Sequence, residues 1–110
     1  MNFSFIIPVY NRPEETKELL ESLVVQTHKD FEVVIIEDGS KETSEGVVKL
    51  FSSKLTINYL FKENTGPGDS RNYGMRKASG DYFIILDSDC ILPEIYFENV
   101  KKALNENFVD

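Results

Sequence analysis

The 110-residue chain has no tryptophan, one cysteine and one histidine. A lone Cys90 cannot form an intrachain disulfide, and without a cluster of Cys and His there is no zinc-ligand set. His28 cannot complete a Ser-His-Asp arrangement, and near the end of a predicted helix it suits capping carbonyls better than acting as a base. No apolar run approaches the ~20 residues that a membrane-spanning helix needs. A basic leader before an apolar stretch is also missing, because Met1 and Asn2 pass directly into a strand-like run, so the expected location is cytoplasmic. Positive charge is scarce too: 12 Lys and Arg against 19 Asp and Glu give a formal net charge of −7, which argues against a nucleic-acid binder. An acidic protein that holds an anionic nucleotide needs a bridging divalent cation. The glycine-rich loops of dinucleotide and P-loop folds, G-x-G-x-x-G and G-x-x-x-x-G-K-S/T, do not follow the first strand.

What is present is ordinary for a globular domain: 41% apolar and 28% charged residues, with four prolines and six glycines, enough for one core over residues 1–110. Four apolar runs, Phe3 to Val9, Phe31 to Glu37, Leu55 to Phe61 and Tyr82 to Leu86, read as strands. The first, second and fourth are nearly continuous in Ile, Val, Phe and Leu, the pattern of parallel strands covered on both faces. Helical signals fill the gaps, at Glu14 to Gln26, Glu42 to Ser52, Ser70 to Ser79 and from Pro93 onward, where Ile95, Tyr96, Val100 and Leu104 mark the apolar face. The order βαβαβαβα predicts a Rossmann-like open α/β sheet, all parallel, with strand order 3-2-1-4 and helices on both faces. Ligands of such sheets bind beyond the carboxyl ends of the strands.

Those ends carry the chemistry. Asp87 and Asp89 are two apart in extended backbone, so both side chains project to one side and can share a Mg²⁺ or Mn²⁺ ion with substrate phosphates. The competing reading is a solvated turn whose aspartate caps the next helix. Asp38 closes the second strand ahead of Gly39 and Ser40, where an acid accepts hydrogen bonds from a ribose or base, or serves as a plain turn residue. Gly66-Pro67-Gly68 at the mouth of the third helix could cradle phosphates with Arg71 nearby, although Gly and Pro in a loop are commonly no more than a loop. Cys90 beside the acidic pair is a poor nucleophile, because adjacent carboxylates suppress the thiolate.

As a set, these segments resemble the family 2 glycosyltransferases with the GT-A fold. The resemblance is carried by Phe5-Ile6-Ile7-Pro8-Val9-Tyr10-Asn11, Ser22 to Thr27, Phe31 to Ser40, Asn64-Thr65-Gly66, Arg71-Asn72-Tyr73-Gly74 and Gly80 to Asp89, in order over almost the whole chain. It implies that this is the nucleotide-sugar-binding half of such an enzyme, taking a nucleoside-diphosphate sugar and a divalent cation for inverting transfer to a saccharide or lipid-linked acceptor. Pro8 and Tyr10 would line the base pocket, Asp38 would hydrogen-bond the base, usually uracil, and Asn64, Gly66 and Arg71 would shape the floor. Asp87 would face the ribose and the metal, and Asp89 would be the principal metal ligand. The fourth position of the motif, often acidic in relatives, is Cys90 here. The acceptor base of the family lies beyond the metal motif, so its identity stays unknown, and this stretch is expected to bind donor with little transfer of its own. The full-length enzyme could then lie against the inner face of the membrane. The alternative is a non-catalytic nucleotide-binding or interaction module that keeps the fold. The family's sheet continues past the fourth strand, which predicts an uncovered edge there and self-association through it, or through Tyr96, Val100 and Phe108 of the last helix.

Overall fold

Ile, Val and Phe dominate the two central strands because a parallel strand buried on both faces leaves little room for polar residues. The computed structural model describes the backbone of residues 2–108 and the side chains of residues 2–104. Its elements are β1 (Phe3–Val9), α1 (Pro13–Val24), β2 (Phe31–Asp38), α2 (Glu45–Phe51), β3 (Thr56–Lys62), α3 (Pro67–Lys77), β4 (Tyr82–Ile85) and α4 (Tyr96–Phe108). The sheet runs β3-β2-β1-β4 with every pair parallel, as the alternation of runs predicts. Among the described residues no helix is long and apolar enough to cross a membrane.

The two faces are covered unequally. Phe3, Phe5, Ile7 and Val9 of β1 and Val33 and Ile35 of β2 point to one side, where they meet Leu19, Leu20 and Leu23 of α1, Val48 and Phe51 of α2 and Phe97 of α4. Each such side chain contributes roughly 1.5–3 kcal/mol on burial. The other face has a smaller cluster, with Ile6, Val34 and Ile36 buried under α3 and Leu60, Tyr73 and Met75 packed against them. That helix can lie close because Gly74 faces the sheet: a Cβ there would meet Ile36 Cδ1 at 2.5 Å and Ile6 Cγ2 at 3.1 Å.

Helix α4 docks through Phe97, fully buried and edge-on to Phe3 and Phe31 with ring centroids 5.1 and 4.9 Å apart. The sequence pattern put Ile95 on this face instead. Ile95 precedes the helix and is exposed, because the chain stays irregular from Pro93 and α4 starts three residues later than expected. The segment ahead of α4 is pinned by Gln26, which lies just past α1 and is buried. Its Nε2 donates to the carbonyls of Ser22 at 3.0 Å and Pro93 at 2.7 Å, and its Oε1 accepts from the Phe97 N–H at 2.9 Å. His28 falls outside α1, beside Lys101 and Glu98, so it caps no carbonyl of that helix.

Strand β4 departs from the expected double coverage. Tyr82 and Ile84 pack into the larger core, while Phe83 and Ile85 stay 41% and 45% exposed on the α3 side. The reason is geometric: α3 lies over β1 and β2, and β4 is an edge strand paired only to β1 among the described residues. Tyr96 and Val100 of α4 are half-buried, and the Phe108 side chain lies outside the described residues.

Gly74→Ala is expected to destabilise the domain by about 1–3 kcal/mol, the usual range for forcing an extra methyl into a packed interior. Urea denaturation would show it as a lower midpoint at unchanged slope, and an unchanged midpoint would mean that α3 has slack over Ile36.

Candidate functional site

The carboxyl ends of β1, β2 and β4 open on a cleft of about 240 Å³ lined by Pro8, Val9, Tyr10, Arg12, Asp38, Pro67, Asp87 and Ser88. Of the residues singled out in the sequence, Pro8, Tyr10, Asp38 and Asp87 therefore share one cavity. Tyr10 presents an exposed ring, and Pro67 sits at the first turn of α3, so the amino end of that helix borders the cleft. Asn64, Gly66 and Arg71 do not line it.

Asn64 and Gly66 act instead on Asp38. The Asn64 Nδ2 donates to the Asp38 carbonyl at 3.0 Å, and the Gly66 N–H donates to Asp38 Oδ2 at 3.0 Å. Asp38 Oδ1 accepts from the Thr65 N–H at 2.9 Å and from Lys62 Nζ at 2.6 Å. Burial alone would raise the Asp38 pKa, but Lys62 and the two backbone N–H groups outweigh it and hold the carboxyl below its ordinary value. Gly39 permits this arrangement: at φ 69° it turns the chain after β2, and a Cβ on it would strike Asn64 N at 2.6 Å.

Arg71 NH2 lies 3.8 Å from Asp87 Oδ1. Asp87 and Asp89 are both exposed, so the cost of burying charge does not bear on them. Asp87 lines the cleft, whereas Asp89 does not and is tied to it by position on the rim. Arg12, absent from the sequence expectation, lines the cleft while paired to Glu15 at 2.9 Å. A charged residue at a helix start gives no signal that separates it from a solvated one.

Behind the cleft lies a network built on Glu37, the neighbour of Asp38, whose side chain alternates to the opposite face. Glu37 is fully buried and accepts from the Ser40 hydroxyl, from the Ser44 N–H at 2.6 Å and from the Tyr59 hydroxyl at 2.7 Å. Ser40 Oγ in turn accepts from the Asn11 N–H at 2.8 Å, and Asn11 Oδ1 accepts from the N–H groups of Lys41 and Glu42 at 2.8 and 3.1 Å. Asn11 has φ 52°, a left-handed conformation that Asn tolerates better than most residues. Burial, followed by the hydrogen bond and charge of Glu37, pushes the Tyr59 phenol well above its ordinary pKa.

Comparison with known proteins places this geometry. The Glycosyl transferase family 2 model matches residues 4–110. An uncharacterized glycosyltransferase of Rickettsia bellii is 44% identical over 107 residues, covering 97% of this chain and 15% of that protein. The chain thus spans about one-seventh of the length of that relative. Among solved structures, residues 1–349 of S. aureus TarS in complex with UDP superpose with a TM-score of 0.89 at 32% identity, covering 96% of this chain and 32% of that one, and the same stretch of TarS has also been solved with UDP-GlcNAc. The mannosyltransferase PcManGT of Pyrobaculum calidifontis, solved with GDP-Man and Mn²⁺, matches 83% of this chain and 28% of its own at 25% identity and a TM-score of 0.76.

Two outcomes test this geometry. Tyr59→Phe leaves Glu37 one donor short in the interior and is expected to cost about 1–3 kcal/mol by urea denaturation. Acid should destabilise the domain through Asp38 and through Glu32, whose burial is likewise outweighed by Ser4 and Ser79 donors, so that its pKa is lowered. Both folded-state pKa values lie below the unfolded ones of ~3.9 and ~4.3. The unfolded chain therefore takes up protons first, and this stability is present above about pH 5 and lost as pH falls through the unfolded and then the folded values. The urea midpoint should fall steadily between about pH 5 and pH 3, and Asp38→Asn should flatten part of that slope.

Proposed function

The chain belongs to glycosyl transferase family 2, and on that premise we propose that it forms the donor-binding part of an enzyme that moves a sugar from a nucleoside-diphosphate sugar to a saccharide or lipid-linked acceptor. The observation that carries this reading is the single cleft that gathers Pro8, Tyr10, Asp38 and Asp87 at the carboxyl ends of three strands. Pro8 and the exposed Tyr10 ring offer flat surface to a base, and Asp38 offers a carboxylate to its polar edge. The fold accepts uridine in TarS and guanosine in PcManGT, so side chains rather than architecture select the base. A UDP-sugar is our choice here.

The diphosphate then lies between the amino end of α3 and the Asp87-Ser88-Asp89 segment. Helix α3 presents free N–H groups and the positive end of its dipole there, and Arg71 stands within 3.8 Å of Asp87. Among the described residues no group of three or more His, Cys, Asp or Glu could hold a metal alone. Two exposed hard-oxygen ligands are nonetheless what Mg²⁺ or Mn²⁺ needs when phosphates and water complete its shell, so the donor set fits such an ion. When bound, the cation supplies positive charge against the departing nucleoside diphosphate. Asp87 and Asp89 would hold it, with Asp87 also facing the ribose, while Asn64 and Gly66 keep Asp38 in place. Transfer proceeds with inversion at the anomeric carbon.

Among the described residues lining the cleft, Asp38 and Asp87 are the carboxylates, and Glu98 is occupied elsewhere, accepting from Thr27 Oγ1 at 2.8 Å. We therefore assign deprotonation of the acceptor to a residue outside this stretch. For the chain by itself we assign self-association along β4, which among the described residues is paired to β1 alone and carries the exposed Phe83 and Ile85.

Calorimetry with nucleoside diphosphates, with and without Mn²⁺, tests the site. UDP should bind only with the cation, and Asp89→Ala should abolish that binding while changing stability by less than about 0.5 kcal/mol. Cation-independent binding, or a folded Asp89→Ala that binds as well as wild type, would remove the metal assignment. Sedimentation checks the edge: copies should associate with rising concentration, and a clean monomer throughout would end that reading.

A further inference from the structure

We propose that Lys62 sets the base preference of the cleft by filling one oxygen of Asp38, leaving a single acceptor that fits uracil and disfavours guanine. The proposal rests on the donor-site reading above. An ionised carboxylate has about four lone-pair positions, two on each oxygen. Oδ1 of Asp38 has both occupied, by Lys62 Nζ at 2.6 Å and the Thr65 N–H at 2.9 Å. Oδ2 has one occupied, by the Gly66 N–H at 3.0 Å. Of the whole carboxylate, one position on Oδ2 stays open.

Lys62 is not itself a ligand for the donor. An ammonium has three N–H donors, and Lys62 spends them on Asp38 Oδ1, on the Glu63 carbonyl at 2.9 Å and on Thr65 Oγ1. Its side chain is 13% exposed and that of Asp38 6%, so water competes little for either. Lys62 does not line the cleft, whereas Asp38 does. It acts through Asp38, as a positioning residue.

The consequence follows from the edges of the bases. Uracil presents one donor, N3–H, between two carbonyl acceptors, and one acceptor satisfies it. Guanine presents N1–H and an N2 amino group side by side, a pair that a free carboxylate meets with both oxygens. With Oδ1 filled, one guanine donor enters the cleft without a partner. A buried donor left unmet weakens binding by about tenfold or more. Replacing the ammonium with an apolar group reopens Oδ1 to that second donor.

The experiment is calorimetry of UDP and GDP at fixed Mn²⁺ on wild type, Lys62→Met and Lys62→Arg, with circular dichroism confirming the fold. Wild type should bind UDP at least about tenfold tighter than GDP. Lys62→Met should shrink that ratio at least about threefold, and Lys62→Arg, which still donates to Oδ1, should keep it. A lysine that only braces the loop would weaken both nucleotides alike. The proposal is therefore overturned by a folded Lys62→Met that binds UDP with the ratio unchanged. Equal affinity of wild type for the two nucleotides overturns it as well, and that measurement stands even if the methionine variant does not fold. If wild type bound neither nucleotide with the cation, the donor-site reading would fall first and this one with it.

Discussion

The Glu37 carboxylate is the interaction on which the rest of the site depends. Fully buried at the end of β2, it draws in the Ser40 hydroxyl, the Ser44 N–H and the Tyr59 hydroxyl, and so ties the loop after β2 to β3. Through Ser40 and Asn11 the same network reaches the loop after β1. Removing any one donor leaves a carboxylate oxygen short in a place that water does not reach, which is expensive. The loops on two sides of the cleft are consequently set by one buried group that never faces the ligand. Asp38, one residue on, inherits its orientation from this frame.

Adjacent acids with opposite duties explain part of what the sequence could and could not reveal. Strand alternation makes it certain that Glu37 and Asp38 point to opposite faces, but not which face holds the cleft. Asp38 drew attention because Gly39 and Ser40 follow it. Glu37, at the end of an apolar run, had no such flag, and its partners come from two separate segments, the loop after β2 and strand β3. Lys62 is a sharper case. A lysine at a strand end is solvated in most proteins, and only the approach of residues 62–66 to Asp38 turns it into a buried partner. That approach needs Gly39, whose role is invisible until Asn64 is seen against it.

The parallel sheet itself was legible, since β1 and β2 are rich in Ile, Val and Phe and the helices between strands leave one connection topology. Strand β4 was misjudged because its composition matches theirs. Coverage is a property of neighbours, and α3 packs chiefly over β1 and β2. Phe97 escaped for a related reason: helical spacing identifies a face only once the start of the helix is known, and Pro93 did not begin it. Asp87 and Asp89 were singled out by their spacing, their place after the fourth strand and the family resemblance; both are exposed, and Asp87 lines the cleft.

Gln26 carries a consequence for how such a domain changes over generations. Each of its three partners is a main-chain atom, the carbonyls of Ser22 and Pro93 and the N–H of Phe97. Main-chain atoms are present whatever side chain stands at a position. The segment between Asp89 and α4 is therefore anchored without regard to most of its own side chains. The exposed Ile91, Glu94 and Ile95 are free to be replaced, and a lineage can reshape this rim while the aspartates beside it keep their place.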